Sequence, residues 1–512
     1  MRSSALRLLA LSAVAAGVLA TVPPGPASST PIAPAAHHRA HVDHVDHGGH
    51  APKPAASELT MEMRDLFVAR SDFGGVDRMR ASEILSRPTD GPSDPQDEGY
   101  DQPSKEICNH RICVHYVTKG SDAPRNLRWV RHTLHVMTAV WHHEIGVLGF
   151  RKPPTDGHRG GDSRFDVYLT DLGSRGLFGY CTPERRVLGE KYGASGYCVL
   201  DNDFAKKQYD APREVSLKVT AAHEFFHAIQ FGYNYRADPW LMESTAVWME
   251  ESFADKADDN RRYLPYGQVA RPWVPLDKYS DTGYSQYGNW AFWEYLTDHY
   301  GSGIVKAVWD QADATHGGPG RASIPALAYV LNHTLHTKHG LAEALTDFAV
   351  ANLDPTKSYP EGSAWPKPAF AAHARMRRTA GVRTDTVRVK HLAAQDVVFR
   401  PPSKGAARRV RLTVDGPAQR DSVVVTVTHA NGRLSHRTIT LHHGVGTAVV
   451  DFSPGVVRSA IVTVVNTSSR YTCDRGTLLS CGGVPKDNGM RFTVSARALP
   501  TVAVSRSRRS HH

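Results

Sequence analysis

The sequence predicts an α+β unit followed by an antiparallel β-sandwich. Three strand-like segments, at 112–117, 165–169 and 196–200, come before segments of helical periodicity that continue to about residue 352. After about residue 368 the chain changes to short runs of β-branched residues separated by turn residues. Asn431 and Gly432, between two of these runs, are typical of a hairpin turn. Strands followed by helices, and then strands alone, indicate two domains of different class.

The length, composition and net charge of the chain are those of an ordinary globular protein. A length of 512 residues predicts two or three domains, and 41% hydrophobic with 22% charged residues is ordinary for a globular protein. The net charge of +10 is mild and spread along the chain, so it does not favour a nucleic-acid partner. Beyond the N-terminal segment no apolar run reaches about 18 residues. We therefore expect no membrane insertion of the mature protein.

The N-terminal segment predicts export. Residues 1–20 carry Arg2 and Arg7, continue as an apolar run and end in small residues, which is typical of a secretory signal peptide. Cleavage is expected after Ala20, with Ala27 as the alternative site. Residues 21–57 are rich in Pro, Ala and His and cannot bury a core, so they predict a disordered linker or pro-segment. We expect a secreted, extracellular protein.

Residue composition and predicted secondary structure divide the rest of the chain into three parts. Residues 58–380 form the first predicted domain, 381–500 the β-sandwich and 501–512 a basic tail.

The six cysteines fall into three close pairs in the sequence. In an exported protein, short spacings of this kind predict three disulfides. Fifteen connectivities are formally possible, so the pairing rests on proximity alone. A cysteine zinc site is disfavoured because the chain has no C-x-x-C sequence. The predicted pairs are Cys108 with Cys113, Cys181 with Cys198, and Cys473 with Cys481.

One segment combines metal-ligating side chains with a candidate general base at helical spacing. Residues 220–230 read T-A-A-H-E-F-F-H-A-I-Q, which places His223 and His227 one turn apart on the same helix face with Glu224 beside them. Two imidazoles in this arrangement can reach one tetrahedral zinc ion, while the carboxylate acts as a general base. A core helix with hydrogen-bonded histidines is the alternative, but it does not explain three ionisable groups on one face.

A second helix supplies the next candidate ligand. Asp238 and Pro239 are typical of a helix start, and Glu243 and Glu250 follow on one face. These two carboxylates are separated by about 10 Å along the helix axis, so only one can reach the ion. We choose Glu243, which is nearer the helix start. Two His and one Glu leave a fourth position for water, as in a catalytic zinc site.

These two segments resemble the gluzincin metallopeptidases. The motif H-E-F-F-H at 223–227 is followed by W-L-M-E-S-T-A at 240–246, and the W-L-x-E-x-x-A wording is similar to the aminopeptidase-N-like branch. The A-H-E-F-F-H-x-I-Q-F wording is similar to that of secreted bacterial metalloproteases. The resemblance implies a zincin-type catalytic domain, one catalytic Zn²⁺ ion and a peptide or protein substrate. It further implies an oxyanion donor after the glutamate helix, either Tyr287 or Tyr284.

The chain departs from the family pattern in two places. The G-x-M-E-N element, which holds a substrate's amino terminus in the aminopeptidase branch, is missing before His223. In the thermolysin branch an acid orients a histidine where this chain has Val247, so Glu250 or Glu251 would have to do so. An endopeptidase is therefore favoured over an aminopeptidase. A non-catalytic extracellular binding protein, whose β-sandwich holds a polymer or cell surface, is the alternative from another class.

Overall fold

A computed structural model describes residues 59–90, 99–315, 317–334, 340–377, 381–405, 409–417 and 421–499. The fold is a mixture of helices and several sheets, which agrees with the α+β expectation at that level. The predicted signal peptide, the predicted linker and the basic tail lie outside the described residues.

Twelve α-helices and sixteen strands make up the described part of the chain. The helices are α1 Leu59–Ala69, α2 Gly75–Ile84, α3 Leu127–Trp141, α4 Lys206–Tyr209, α5 Arg213–Asn234, α6 Pro239–Ala254, α7 Ser285–Gly288, α8 Trp290–Tyr300, α9 Gly303–Ala312, α10 Ser323–Tyr329, α11 Gly340–Ala351 and α12 Pro355–Ser358. The strands are β1 Lys105–Cys108, β2 Ile112–Tyr116, β3 Phe165–Thr170, β4 Gly179–Arg186, β5 Ala194–Asp201, β6 Ala372–Arg375, β7 Val382–Val389, β8 Ala393–Arg400, β9 Arg409–Asp415, β10 Asp421–His429, β11 Leu434–Thr438, β12 Val445–Asp451, β13 Val457–Asn466, β14 Tyr471–Thr472, β15 Val484–Pro485 and β16 Met490–Ala498.

The first sheet has five strands in the order β1-β2-β3-β5-β4. Strands β2, β3 and β5 are parallel, and β1 and β4 run antiparallel to them at the two edges. All eight residues of β5 are buried, as expected for a strand with helices or strands on every side. Helix α5 packs across β5 and β4, so its buried face is fixed by the sheet.

Helix α5 differs from the sequence prediction at its C-terminal end. Gly232 is typical of a helix end, but the helix continues through it to Asn234. The structure shows a packing reason for the glycine, because a Cβ at this position would lie 2.7 Å from the Pro154 ring. The glycine therefore permits a close approach of the preceding loop. Pro212 stands at the N-cap, as the sequence predicts.

The C-terminal part contains two sheets that share one apolar core. Their orders are β11-β10-β13-β8-β6 and β12-β9-β16-β7, and alternate side chains of both sheets form that core. The hairpin predicted at Asn431 and Gly432 joins β10 and β11. The pairing is antiparallel except at β6, a strand the sequence analysis missed, which runs parallel to β8.

The six cysteines are joined as the sequence predicts. Cys108 pairs with Cys113 across the β1–β2 hairpin, and Cys181 pairs with Cys198 between neighbouring strands β4 and β5. Cys473 and Cys481 close a loop next to β14 and β15. Such bonds are typical of proteins that fold in an oxidising environment. None of the described helices has the length and apolarity needed to cross a bilayer.

The two parts of the chain are joined by buried carboxylates. Asp277 has no solvent exposure, and its oxygens accept hydrogen bonds from His391 Nε2 (2.8 Å), Tyr471 Oη (2.7 Å) and the Ser480 amide (3.0 Å). Asp238 accepts a bond from the Cys481 amide at 3.0 Å. Asp238 stands at the N-cap of α6, yet its side chain makes no capping bond there. Its carboxylate is instead directed to other elements.

We predict that Asp277→Ala destabilises the whole chain. The substitution leaves three buried donors from the C-terminal part without an acceptor, and each such group costs about 1–3 kcal/mol. We expect the free energy of unfolding, measured by urea titration, to fall by about 3 kcal/mol or more. Asp281→Ala removes an exposed carboxylate from the same segment and should change it by less than about 0.5 kcal/mol. Equal effects of the two substitutions would contradict this account of the interface.

Candidate metal centre

Helices α5 and α6 pack side by side and bring the three predicted ligands together. His223 and His227 come from α5, and Glu243 comes from the second turn of α6. The imidazole centroids are 4.8 Å apart, one helical turn from each other. The candidate ligand atoms of the three residues all lie within 4.8 Å of one another. The sequence spacing therefore corresponds to one cluster in space.

The distances within this cluster suit a tetrahedral cation. A tetrahedral ion with ligand bonds of about 2.0–2.1 Å separates neighbouring ligand atoms by roughly 3.3–3.4 Å. His223 Nε2 lies 3.3 Å from Glu243 Oε2, and His227 Nε2 lies 3.6 Å from Glu243 Oε1. Both distances are longer than an ordinary hydrogen bond. The three side chains thus have the separation that an ion between them would require.

Hydrogen bonds on the far side of each imidazole fix its orientation. His223 Nδ1 lies 2.7 Å from Glu250 Oε1, and His227 Nδ1 lies 2.7 Å from Gln230 Oε1. Both oxygens act as acceptors, so each Nδ1 carries a proton, and each Nε2 faces the Glu243 carboxylate. Metal-ligating histidines are commonly held in this way. Gln230 is held in turn by the Met242 carbonyl oxygen at 2.9 Å.

Several polar atoms of the cluster are buried and lack a hydrogen-bond partner within the described residues. These atoms are His227 Nε2 and both carboxylate oxygens of Glu243. His227 has no exposed surface and Glu243 is 1% exposed, so water cannot satisfy them freely. Unpaired buried acceptors are costly unless something binds them. The residues present therefore fit a divalent cation, for which these atoms are the natural ligands.

The protonation of the cluster is consistent with cation binding. Burial lowers the pKa of His227 to about 4, which keeps its imidazole neutral at neutral pH. Burial also opposes protonation of His223, but the carboxylates of Glu243 and Glu250 outweigh it and raise that pKa well above its ordinary value. His223 and Glu243 then form an ion pair, and a cation can take the place of the shared proton.

Glu224 lies beside the cluster and is held by a residue that the sequence analysis missed. Thr60, in the first turn of α1, donates its hydroxyl to Glu224 Oε2 at 3.0 Å. The same hydroxyl accepts the Cys181 amide of edge strand β4 at 3.0 Å. Burial raises the pKa of Glu224 to about 7. With 164 residues between Thr60 and Glu224, no local sequence signal could have indicated this contact.

The two candidate tyrosines take different positions. The Tyr287 ring lies 6.2 Å from the His223 ring and stacks on Tyr263 at 4.9 Å. The Tyr284 ring contacts the rings of Tyr263, Tyr266 and Tyr287. Tyr287 is thus the closer of the two to the cluster. Gly288, next to Tyr287, packs against Gly267, where a Cβ would lie 2.4 Å from the amide nitrogen.

One further acid lies near the cluster. Glu144, in the π-helical turn His142–Val147, is fully buried, and neither of its oxygens has a hydrogen-bond partner among the described residues. Burial raises its pKa well above the ordinary value, against an opposing effect of the His223 charge. The sequence W-H-H-E at 141–144 has no histidine pair at i and i+4, so by itself it predicts a surface or packing role. Trp141, three residues earlier, does pack on Phe225 at 5.3 Å.

Two other groups in the described residues have metal-like spacing, but each is already engaged. Glu106 and His115 lie near Cys113, whose sulfur belongs to a disulfide. The group of Glu251, Asp255 and Glu361 includes a carboxylate that is paired with Arg261 at 2.6 Å. The cluster between α5 and α6 is therefore the strongest candidate.

No family model matches this chain, and no curated protein matches it either. The similarity to gluzincins accordingly rests on the motif residues. The distances and burial of His223, His227 and Glu243 are an observation independent of that motif.

We predict that removing Glu243 and removing Glu250 affect metal content differently. Glu243→Ala deletes a candidate ligand and should leave the purified chain with little bound zinc. Glu250→Ala deletes only the acceptor that orients His223, and this should weaken zinc affinity by about 10- to 100-fold. Metal analysis of chains equilibrated with buffered zinc separates the two effects. If Glu250→Ala lost more zinc than Glu243→Ala, the ligand assignment would be reversed.

Proposed function

We propose that this chain is a secreted zinc-dependent metallopeptidase of the gluzincin type that acts as an endopeptidase. The observation that carries the proposal is the convergence of His223 Nε2, His227 Nε2 and the Glu243 carboxylate at ligand-to-ligand distances, with Glu224 beside them. A zinc site with a purely structural role would need only its ligands and no general base. The additional buried carboxylate, held by Thr60, favours a catalytic role.

A zinc ion held by His223, His227 and Glu243 would polarise the scissile carbonyl and acidify a water molecule. Glu224 would take a proton from the water molecule whose oxygen attacks the carbonyl carbon, and would return it to the amine nitrogen as the C–N bond breaks. The hydroxyl of Thr60 holds one Glu224 oxygen, so the other oxygen is the one that accepts the proton. The raised pKa of Glu224, about 7, suits a group that both accepts and returns a proton near neutral pH.

The hydroxyl of Tyr287 is the proposed donor to the oxyanion that develops on the substrate. Its ring lies beside His223, on an element that follows the Glu243 helix in the chain. A donor here would strengthen its bond only as charge develops, so it would lower the barrier without tightening ground-state binding. Tyr284 is the alternative donor.

Export is supported by three disulfides, which are consistent with an oxidising compartment. Action within peptides, rather than at their amino ends, is supported by the missing G-x-M-E-N element. Cleavage of peptides with blocked amino termini, with and without chelator, tests endopeptidase action and its dependence on metal. Cleavage restricted to free amino termini would indicate an aminopeptidase. No metal-dependent cleavage of any peptide would favour an extracellular binding protein built on the same scaffold.

We predict that Glu224→Gln retains one zinc ion per chain and loses peptide hydrolysis. The amide cannot accept a proton, and general-base catalysis contributes about 100- to 10,000-fold. The expected result is a fall in kcat of that size with unchanged metal content. Glu214→Gln is a matched control on the same helix, where the carboxylate is exposed and pairs with Lys218. Near-normal turnover by the Glu224 variant would refute the proposed mechanism.

We also predict that Tyr287→Phe lowers kcat by about 100- to 1,000-fold and leaves KM nearly unchanged. Tyr284→Phe, which removes a hydroxyl from the same aromatic cluster, should lower kcat by less than about tenfold. Steady-state kinetics on one peptide substrate compares the two variants. If neither substitution lowers kcat by tenfold, both tyrosines are packing residues and the donor is another group.

A further inference from the structure

Five arginines line one cavity at the far end of α1 from the metal centre. The cavity has a volume of about 660 Å³ and lies between the end of α1, the start of α2, the loop near Gly160 and the end of edge strand β4. Phe67, Ser71 and Glu184 complete its lining. A concavity of this size is typical of a small-molecule site. The arginines are Arg70, Arg78, Arg159, Arg185 and Arg186.

None of the five arginines forms an ion pair with a described residue. The one acidic residue in the lining, Glu184, is engaged on both oxygens by the buried Arg87, at 2.7 and 2.8 Å. Asp166 and Asp156, behind the cavity, are also directed to Arg87. Counting Arg87, six guanidinium groups face three carboxylates, so the region keeps a net positive charge of about three at neutral pH if all the carboxylates are ionised. Among the described residues, no carboxylate forms an ion pair with the arginines at the cavity surface.

Three of these side chains contact aromatic rings or backbone oxygens. The guanidinium of Arg186 lies 6.0 Å from the Phe67 ring and 5.9 Å from the Tyr235 ring, and that of Arg70 lies 5.3 Å from Phe67. Arg78 donates to the Phe73 carbonyl oxygen at 3.0 Å. These contacts leave other N–H donors of each guanidinium available. Groups held in this way lose less conformational entropy when they bind a ligand.

The arginines also interact with one another. Burial lowers the pKa of Arg70, and the neighbouring charges of Arg186, Arg159 and Arg78 lower it further. Like charges gathered around one cavity repel each other, and an anion in the cavity would relieve this repulsion. A single carboxylate would neutralise only one of them. Arginine forks match the oxygens of a phosphate group, and several forks together suit a ligand with more than one such group.

We propose that this cavity is a binding site for a small molecule that carries two phosphate groups, such as a diphosphate. Arg70 and Arg78 come from the region of α1 and α2, and Arg159, Arg185 and Arg186 come from the loop near Gly160 and from the end of β4, so several segments supply donors to one ligand. The site is a local concavity of the surface, whereas an extended nucleic-acid surface needs a basic stripe along a groove. The proposal is independent of the peptidase function.

Isothermal titration calorimetry of the full chain with inorganic pyrophosphate tests the site. The variant Arg159→Gln with Arg185→Gln should bind pyrophosphate at least about tenfold more weakly than the wild type, because it loses two charged hydrogen-bond donors of the cavity. The control is Arg383→Gln with Arg388→Gln, two exposed arginines of strand β7. The control double variant has the same net charge as the first double variant and keeps the same candidate metal centre. Chelation of metal by pyrophosphate therefore affects both proteins equally. The affinity of the control should stay within twofold of that of the wild type.

Several outcomes would overturn the proposal. Equal losses in the two double variants would show a nonspecific charge effect. Binding of orthophosphate and sulfate as tight as that of pyrophosphate at equal ionic strength would show a general anion patch. No binding by the wild type at millimolar pyrophosphate would also refute the site. If the first variant fails to fold, Arg78→Gln, compared with its exposed neighbour variant Arg80→Gln, gives the same comparison, and only Arg78→Gln should weaken binding.

Discussion

The burial of the Glu243 carboxylate between two imidazoles is the constraint on which this structure depends. A carboxylate with 1% exposure is costly to desolvate unless positive charge and hydrogen-bond donors surround it. The chain supplies His223 on one side and His227 on the other, at 3.3 and 3.6 Å. Each imidazole is fixed from behind by a second polar side chain, Glu250 or Gln230. A divalent cation would satisfy the remaining buried acceptors together.

The N-terminal helix contributes to this arrangement more than its place in the chain suggests. The hydroxyl of Thr60 joins the general-base candidate Glu224 to the edge strand β4. One turn further along, Arg64 donates to the Ala237 carbonyl oxygen at 3.0 Å, next to the start of α6. Helix α1 therefore contacts both helices of the metal centre and the strand beside them.

The C-terminal sheets are connected to the same helix by polar contacts. Asp238 precedes α6, and its carboxylate accepts the amides of Ser323 (2.8 Å) and Cys481 (3.0 Å). Asp277 binds three groups of the C-terminal part and is fully buried. Strand β6, at 372–375, already belongs to the C-terminal sheet, although the change in sequence texture predicts a boundary near residue 380. The change in residue composition shows where regular runs of β-branched residues begin. Whether β6 belongs to the sheet depends instead on its pairing with β8.

The sequence by itself determined the features that depend on local spacing. The i and i+4 positions of His223 and His227 on one helix face follow from helical periodicity, and the close cysteine pairs follow from short loops. The hairpin at Asn431 and Gly432 follows from turn chemistry. Only the tertiary structure decided which residues from distant parts of the sequence contact these features. The contact of Thr60 with Glu224, the burial of Glu144 and the cavity of unpaired arginines all join segments far apart in the chain, and their packing has no periodic signature in the sequence.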